Sequence, residues 1–258
     1  MSDRSRSGKA RKGSRPVTAR EREAARRRQQ DQEREAARRR RRGRWIGTSI
    51  SLAALLLVAG LEILLHRPTA EERSLLEMAP KLAAQAGCGP VRTIRPFPDG
   101  HDRTHIGSSG IRVMPPLSAY PSHPPVSGPH YPVPLDAGVY ASPPPLDRAI
   151  HSLEHAAVII WYDPSVSSGP EVARIGRFFA QGNERNHVIV APYDYPSQGP
   201  DGRLPVGVHM ALAAWHHLQY CSSPDLSVAY GFAARYRMDL YRFWDYRGDA
   251  PERWFTPI

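Results

Sequence analysis

Histidines are the residues whose type and spacing point most directly to chemistry in this sequence. The tightest group is His151 and His155, which enclose Glu154 in the pentapeptide His-Ser-Leu-Glu-His. On a helix, residues four apart share a face with Cβ atoms about 6 Å apart, whereas on a strand they would be roughly 13 Å apart. Both imidazoles can therefore reach one metal ion only if this segment is helical.

Two imidazoles bind a metal weakly, so a tight site needs further ligands from elsewhere in the chain. The segment around His130 is stiffened by Pro124, Pro125, Pro129 and Pro132, which reduces the entropic cost of bringing its side chain to the helix. We therefore predict His130, His151 and His155 as ligands of one zinc or copper ion, with His105 as a candidate fourth ligand. Glu154 would orient a ligand imidazole, or would have no such role.

Two other interpretations of the histidines stay open. His151 and His155 can be polar groups of a half-buried helix, hydrogen-bonded within the proline-rich loop. The pattern His-x-x-Glu-His is also the inverted zinc-peptidase signature, in which Glu154 would be the general base. That signature requires a downstream carboxylate ligand, and the acidic residue available at 225–235, Asp225, is better explained as a helix N-cap. No catalytic residue is predicted, and whether the chain is an enzyme is left open.

The elements that position these residues follow from hydrophobic periodicity. Apolar residues at Leu146, Ile150 and Leu153 mark one face of a short helix and support the helical placement of the histidines. Continuous apolar runs predict buried strands, and amphipathic stretches predict helices. The strands are expected at 156–162 and 187–193, and the helices at 170–181 and 225–238. Residues 206–218 are expected to form a third strand, or a strand that runs into a helix. This alternation predicts an α/β or α+β domain with a small central sheet and flanking helices.

Residues 45–65 are almost entirely apolar, with one charge, Glu62, near the end. At 1.5 Å per residue, this stretch spans roughly 30 Å as a helix, the hydrocarbon thickness of a bilayer. It predicts one transmembrane helix, an uncleaved signal anchor, because the preceding polar region is far longer than that of a normal signal peptide. Residues 66–86 follow as a juxtamembrane helix, with a capping box beginning at Thr69 and a kink or break expected at Pro80.

Residues 1–44 carry 18 basic and 6 acidic side chains, whereas the rest of the chain is close to neutral. This tail lacks the apolar residues that could form a core, so we expect it to be disordered, or transiently helical in its Glu-Arg-Glu-Ala-Ala repeats. Its charge predicts a cytoplasmic N-terminus and an exported globular domain at 87–258. The tail has no aromatic residue for base stacking, so anionic lipid headgroups are the expected partner and nucleic acid is not.

The two cysteines, Cys88 and Cys221, both lie on the exported side, where disulfides form and persist. They predict a single bridge, the alternative being two free buried thiols. Such a bridge would enclose most of the exported domain and would contribute roughly 4 kcal/mol. About 190 residues remain after the apolar stretch, enough for one domain with its own core but too few for a large multidomain enzyme.

Several motifs across residues 87–252 resemble the family catalogued as domain of unknown function 3105. In chain order they are Phe97-Pro98-Asp99-Gly100 through His105, Pro-Pro-Val-Ser-Gly-Pro-His-Tyr at 124–131, Gly-Val-Tyr at 138–140, His-Ser-Leu-Glu-His at 151–155, Ala-Pro-Tyr at 191–193 and Ala-Ala-Trp at 213–215. The family pattern continues after the His cluster with Gly-Gly, where this chain has Ala156 and Ala157. The resemblance implies a bacterial, membrane-anchored or exported protein, of a kind frequent in actinobacteria, and it supplies no established activity.

Together these features predict a single-pass membrane protein of unknown activity whose exported domain binds one transition metal. A different class of function also fits the sequence. The proline-rich face could bind a protein or glycan partner in the cell envelope without any metal.

Overall fold

A computed structural model describes residues 19–254 of the chain except Ser109. The chain separates into two compact units, with the division between Leu65 and His66. The described residues of the first unit form helix α1, Ala19–Leu65. Within α1, Thr48–Leu65 is the one segment of the described chain that is long and apolar enough to cross a membrane. The basic repeats at 19–44 lie in the same helix, and residues 1–18 of the expected tail lie outside the described residues.

The second unit begins with helix α2, Ala70–Gln85. The predicted capping box is confirmed, because the Thr69 side chain accepts from the Glu72 N–H and the Glu72 carboxylate accepts from the Thr69 N–H. The helix ends at Gln85, and Gly87, whose φ of 60° is left-handed, lets the Cys88 N–H reach the Ala83 carbonyl at 2.8 Å. Pro80 lies within one continuous helix, so of the two expectations the division into two shorter pieces is wrong.

A six-stranded mixed sheet forms the centre of this unit, in the order β1-β6-β5-β3-β4-β2. The strands are β1 Arg92–Thr93, β2 Gly138–Val139, β3 Val158–Tyr162, β4 Val188–Pro192, β5 Met210–Ala214 and β6 His217–Cys221. The remaining helices are α3 Leu146–Glu154, α4 Pro170–Phe179 and α5 Leu226–Tyr236. Strands β2, β4 and β3 are parallel neighbours, whereas β5 runs antiparallel to both β3 and β6. The predicted mixed α/β architecture is confirmed.

Alternating side chains of the central strands enter two separate hydrophobic cores. Ile159 and Trp161 of β3 pack on the face that carries α3 and the proline-rich loops. Val158 and Ile160 pack on the opposite face, with α2, α4 and α5. Burial on both faces explains why these strands read as continuous apolar runs instead of alternating ones.

Residues 206–218, predicted as a third strand or as a strand running into a helix, contain two strands in the structure. Strands β5 and β6 form a hairpin whose register pairs Ala214 with His217, so Trp215 and His216 make the turn. His216 adopts a left-handed φ of 58° there. Such a turn usually contains Gly, Asn or Asp. Because none of these residues is present, the sequence pattern did not predict the turn.

A disulfide joins Cys88 and Cys221, as predicted, with an S–S distance of 2.06 Å. It fastens the end of α2 to the end of β6, where the Gly89 N–H also donates to the Tyr220 carbonyl at 2.9 Å. Because 133 residues separate the two cysteines, the bridge closes a loop around nearly the whole sheet. The unfolded chain therefore loses much of its freedom.

Reduction should lower the stability of this domain by about 4–5 kcal/mol, the chain-entropy value for a loop of this length. For a domain of this size, that corresponds to a fall in Tm on the order of 10 °C. Thermal unfolding of the purified chain with and without reductant measures the effect. A Cys88→Ser, Cys221→Ser variant serves as control because its Tm should not respond to reductant. Two titratable thiols in the unreduced, denatured chain would contradict the pairing.

Candidate metal centre

The loop that carries His130 is shaped by the glycine two residues before it. Gly128 has a left-handed φ of 116°, and a Cβ at this position would lie 2.7 Å from side-chain atoms of both Phe97 and Tyr120. Only glycine fits this backbone without strain. The Tyr120 hydroxyl also donates to the Pro129 carbonyl at 2.6 Å, so the chain on either side of His130 is held in place. His130 itself is completely buried.

His105 reaches the same place because its loop pairs with the His130 loop. The His130 N–H donates to the Thr104 carbonyl at 3.0 Å, and the Ile106 N–H donates to the His130 carbonyl at 2.7 Å. These two hydrogen bonds form a parallel bridge that sets His105 beside His130. Their ring centroids are 5.0 Å apart. His105 is the most exposed of the clustered histidines, with 38% of its side chain accessible.

Helix α3 supplies the other side of the cluster. His151 and Glu154 lie three residues apart on its last turn, and both are buried. The apolar residues Ile150 and Leu153 hold the helix against the sheet. The predicted helical placement of His151 is thus confirmed, and its ring centroid lies 4.9 Å from that of His130.

Four potential ligand atoms converge at this point. They come from His105, His130, His151 and Glu154, and all lie within 4.8 Å of one another. The Glu154 Oε2 atom is 2.9 Å from His130 Nε2, 3.7 Å from His105 Nε2 and 3.9 Å from His151 Nδ1. None of these four buried atoms forms a hydrogen bond with any described residue. Such a group of three imidazoles and one carboxylate could hold a metal ion.

Outer contacts set the tautomers that metal binding requires. His130 Nδ1 lies 2.7 Å from the Gly128 carbonyl oxygen, which can only accept, so Nδ1 carries the proton and the Nε2 lone pair faces the cluster. His151 Nε2 lies 2.9 Å from His155 Nε2. If His151 donates in this contact, its Nδ1 lone pair also faces the cluster.

Arg103 holds the carboxylate of Glu154 in orientation. Its Nε donates to Glu154 Oε1 at 2.7 Å, which leaves Oε2 directed at the imidazoles. Burial alone would raise the pKa of Glu154, but the contacts with His130 and Arg103 outweigh it and lower that pKa. Glu154 is therefore an anion at neutral pH, enclosed by imidazoles and one guanidinium.

His151 is held in its neutral form. Burial is the main cause, and the neighbouring His130 and His155 add to it, so that the pKa of His151 falls to about 3. Neutral imidazole is the form that binds metal ions. No proton has to leave His151 at physiological pH before an ion can bind.

The structure differs from the sequence prediction in the placement of His155 and Glu154. His155 caps the C-terminus of α3 and belongs to a second group, with His151 and Glu252, instead of to the four-atom cluster. Its Nε2 lies 3.5 Å from Glu252 Oε2. Glu154, which was expected to orient a ligand, contributes an atom to the cluster itself. His155 stays next to the cluster, since its Nε2 lies 2.9 Å from His151 Nε2, but it is His151 and Glu154 whose atoms face His105 and His130.

This arrangement does not favour the inverted peptidase interpretation. In that signature both histidines bind one zinc and the glutamate is left to accept a proton from water. Here His151 and His155 do share the second group, with Glu252, but Glu154 is not left to act as a base. Its Oε1 accepts from Arg103 and its Oε2 lies 2.9 Å from His130 Nε2. Sequence reasoning missed Arg103 and Glu252. Arg103 lies in the segment Asp-Gly-His-Asp-Arg-Thr-His at 99–105, which indicated only the resemblance to the family.

A separate histidine fastens the loops of the cluster to the sheet. His216, in the β5–β6 turn, lies 2.8 Å from Asp102 Oδ2 through Nε2 and 3.2 Å from Asp249 Oδ2 through Nδ1. Asp102 also accepts from the Ser127 hydroxyl at 2.6 Å, and its carbonyl accepts from the Gly128 N–H. Asp102 thus connects both cluster loops to His216. His209 is not part of either His/Glu group among the described residues.

Comparison with known proteins identifies one family. Residues 117–242 match the model of the family described as protein of unknown function (DUF3105). The match includes His130, His151, Glu154 and His216 and begins after His105. No curated protein and no solved structure gives a significant match.

Raising the pH above about 9 should destabilise the domain through His216. Burial lowers the pKa of His216, but its contacts with Asp102 and Asp249 outweigh burial and raise it from 6.5 to about 9. Because the pKa is higher in the folded state, protonated His216 contributes its full stabilisation below pH 6.5. This contribution is lost as the pH rises through about 9. Since Asp249 is half exposed, we expect a loss of roughly 1–2 kcal/mol.

Unfolding of the wild type and of His216→Gln at neutral pH and at pH about 10 measures this loss, since glutamine cannot titrate. The wild type should lose stability between the two conditions and the variant should lose much less. Equal losses in both proteins would show that another group titrates.

Proposed function

We propose that this chain, which belongs to the DUF3105 family through residues 117–242, binds one transition-metal ion through His105, His130, His151 and Glu154. The observation that carries the proposal is the set of four buried ligand atoms that face one another without hydrogen bonds to any described residue. Unsatisfied buried polar atoms are rare in native proteins and each calls for an explanation.

A proton alone explains this arrangement less well than a metal ion does. If His130 carries only its Nδ1 proton, its Nε2 atom and the Glu154 Oε2 atom, 2.9 Å apart, are both acceptors, so a cation must lie between or beside them. A proton on His130 would satisfy that one pair. It would leave the lone pairs of His105 and His151 directed at the same point with no donor. One metal ion satisfies all four atoms together.

The geometry requires only small movements to close around an ion. Ligands at about 2.0–2.1 Å from a tetrahedral zinc lie about 3.3 Å apart. The distances from Glu154 Oε2 to the three imidazoles, 2.9–3.9 Å, already bracket this value. Imidazole nitrogens with one carboxylate suit zinc and copper(II). The exposed edge of His105 gives an ion a route from solvent.

Four protein ligands and a buried setting fit a structural or carrier site better than a hydrolytic one. A catalytic zinc keeps a coordination position for water or substrate. All four positions of a tetrahedral ion would be filled here by protein atoms. We therefore propose a closed site, in which the metal ties the loops of His105 and His130 to helix α3.

We further propose that the chain is a single-pass membrane protein with a cytoplasmic N-terminus. Support comes from Thr48–Leu65, which is long and apolar enough to span a bilayer, and from the basic residues before it. The arginines at 20–42 would contact anionic headgroups on the cytoplasmic side. The disulfide at Cys88 and Cys221 supports an oxidising location for the second unit.

Metal binding should depend on Glu154 and the three cluster histidines. Titration of the purified chain with zinc, followed by calorimetry and elemental analysis, should give one ion per chain. His130→Ala, His151→Ala and Glu154→Gln should each weaken binding by roughly 100-fold or more, because each removes a ligand.

The second group provides matched controls for these variants. Glu252→Gln and His155→Ala change the same residue types a few ångströms away, and we expect losses of about 10-fold or less, typical of groups that only orient a ligand. If Glu252→Gln abolishes binding and Glu154→Gln does not, the ion belongs to the second group. No metal uptake by the folded wild type would refute the proposal and leave the envelope interaction module as the better function.

Protease accessibility in intact cells tests the orientation. A tag at the C-terminus should be removed by added protease, whereas a tag at the N-terminus should survive, because only the second unit faces outward. Cells permeabilised before treatment should lose both tags, which shows that each is cleavable. A C-terminal tag that survives in intact cells would overturn the proposed topology.

A further inference from the structure

A group of large apolar side chains near the end of the described chain is exposed to solvent. We call it the aromatic patch, and its members are Leu240, Tyr241, Phe243, Trp244 and Trp254, each between 40% and 64% exposed. The rings of Phe243 and Trp254 are 6.2 Å apart, so the two ends of the patch meet. Exposed apolar groups of this size usually mark a surface that another body covers.

The patch lies beside the residue that leaves the membrane helix. His66 follows Leu65, the last residue of the candidate transmembrane segment. Its ring stacks on Tyr241 with centroids 3.5 Å apart and an interplanar angle of 6°. If the segment spans a bilayer, His66 lies at the bilayer surface, and this stacking contact holds Tyr241 at the same level.

Cationic side chains flank the patch. A cavity of about 360 Å³ next to it is lined by Arg235, Arg237, Arg242 and Arg247, against two acidic residues, Asp239 and Asp245. Arg235 and Arg247 are exposed. Arg242 is fixed by Asp239 at 2.9 Å and by the Tyr230 hydroxyl at 3.2 Å. This excess of guanidinium groups suits phosphate-bearing ligands.

We infer that the aromatic patch and its arginines dock onto the outer surface of the membrane, with the aromatic rings among anionic lipid headgroups. The inference rests on the proposed transmembrane anchor. Tryptophan and tyrosine favour the interface between lipid and water, because their rings have an apolar body and a polar edge. Arginines beside them pair with lipid phosphates.

A lipid surface explains the patch better than a protein partner does. The stacking contact with His66 brings the patch to the bilayer through the chain's own connectivity, so no second molecule has to be recruited. Once the anchor is inserted, the patch faces the lipid surface at a high effective concentration. Even weak contacts with headgroups are then enough to keep the domain bound to the membrane. The second unit would then be fixed against the membrane instead of rotating freely on its tether.

Quenching of tryptophan fluorescence by brominated lipids tests the docking. The full chain, with Trp45→Phe and Trp254→Phe, is reconstituted into vesicles of phosphatidylcholine and phosphatidylglycerol. Trp161 and Trp215 are buried, so Trp244 is the exposed reporter among the remaining described tryptophans. Lipids brominated high on the acyl chain should remove most of the Trp244 emission, and aqueous iodide should remove little. Arg235→Gln with Arg247→Gln should reduce the lipid quenching, whereas Arg203→Gln should not.

The matched control carries Val206→Trp and Trp244→Phe on the same background of Trp45→Phe and Trp254→Phe. Val206 is fully exposed and lies just before β5, whose Met210 pairs with Cys221 at the Cys88 end of α2. Helix α2, with 16 residues, is about 24 Å long and separates that end from His66. Iodide should quench this tryptophan, and brominated lipid should not.

The possible failures are distinguishable. If alkaline carbonate extracts the chain from vesicles, the anchor itself is wrong. If the chain resists extraction but Trp244 is quenched by iodide and not by brominated lipid, the anchor stands and the docking is wrong. Shielding of Trp244 from iodide in native membranes but not in pure lipid vesicles would assign the patch to a protein partner and would also overturn the inference.

Discussion

The negative charge of a buried carboxylate must be balanced by nearby groups, and several segments of the second unit meet at Glu154 to do so. Arg103 satisfies one oxygen at 2.7 Å, and three imidazoles surround the other. The charge of a carboxylate that is 1% exposed is costly unless it is paired or coordinates a cation. Arg103 and His105 reach it from one loop, His130 from a second loop and His151 from helix α3, so one carboxylate contacts three separate segments.

The rigidity of the two loops makes this convergence specific. Prolines fix φ around His130, and Gly128 allows Phe97 and Tyr120 to pack closely against the backbone. Asp102 joins both loops to the β5–β6 turn through His216. Side chains held in this way keep their lone pairs directed inward, which would reduce the ordering cost of binding an ion. The same rigidity explains how four acceptor atoms can remain close together in one place.

The exposed aromatic patch is a second feature of this unit that needs a physical explanation. A globular domain gains nothing from exposing Trp244 and Phe243 to water, and the stacking of Tyr241 on His66 brings them to the point where the chain leaves α1. The unit therefore combines a polar cluster inside with an apolar surface at its tether. If both proposals hold, the metal would fix the internal loops, and the membrane would fix the domain as a whole.

The sequence by itself determined the elements with strong local signals. The capping box at Thr69, the two buried strands after α3, the pairing of the two cysteines and the helical spacing of His151 are all governed by contacts within a few residues or by simple counting. Only the tertiary structure decided that Glu154, and not His155, joins His105 and His130, and that Arg103 and Glu252 complete the surroundings. Both Glu154 and His155 lie within one turn of His151, so helical spacing could not choose between them. That choice depends on where α3 ends and on loops some 20 to 50 residues earlier in the chain, which no local pattern encodes.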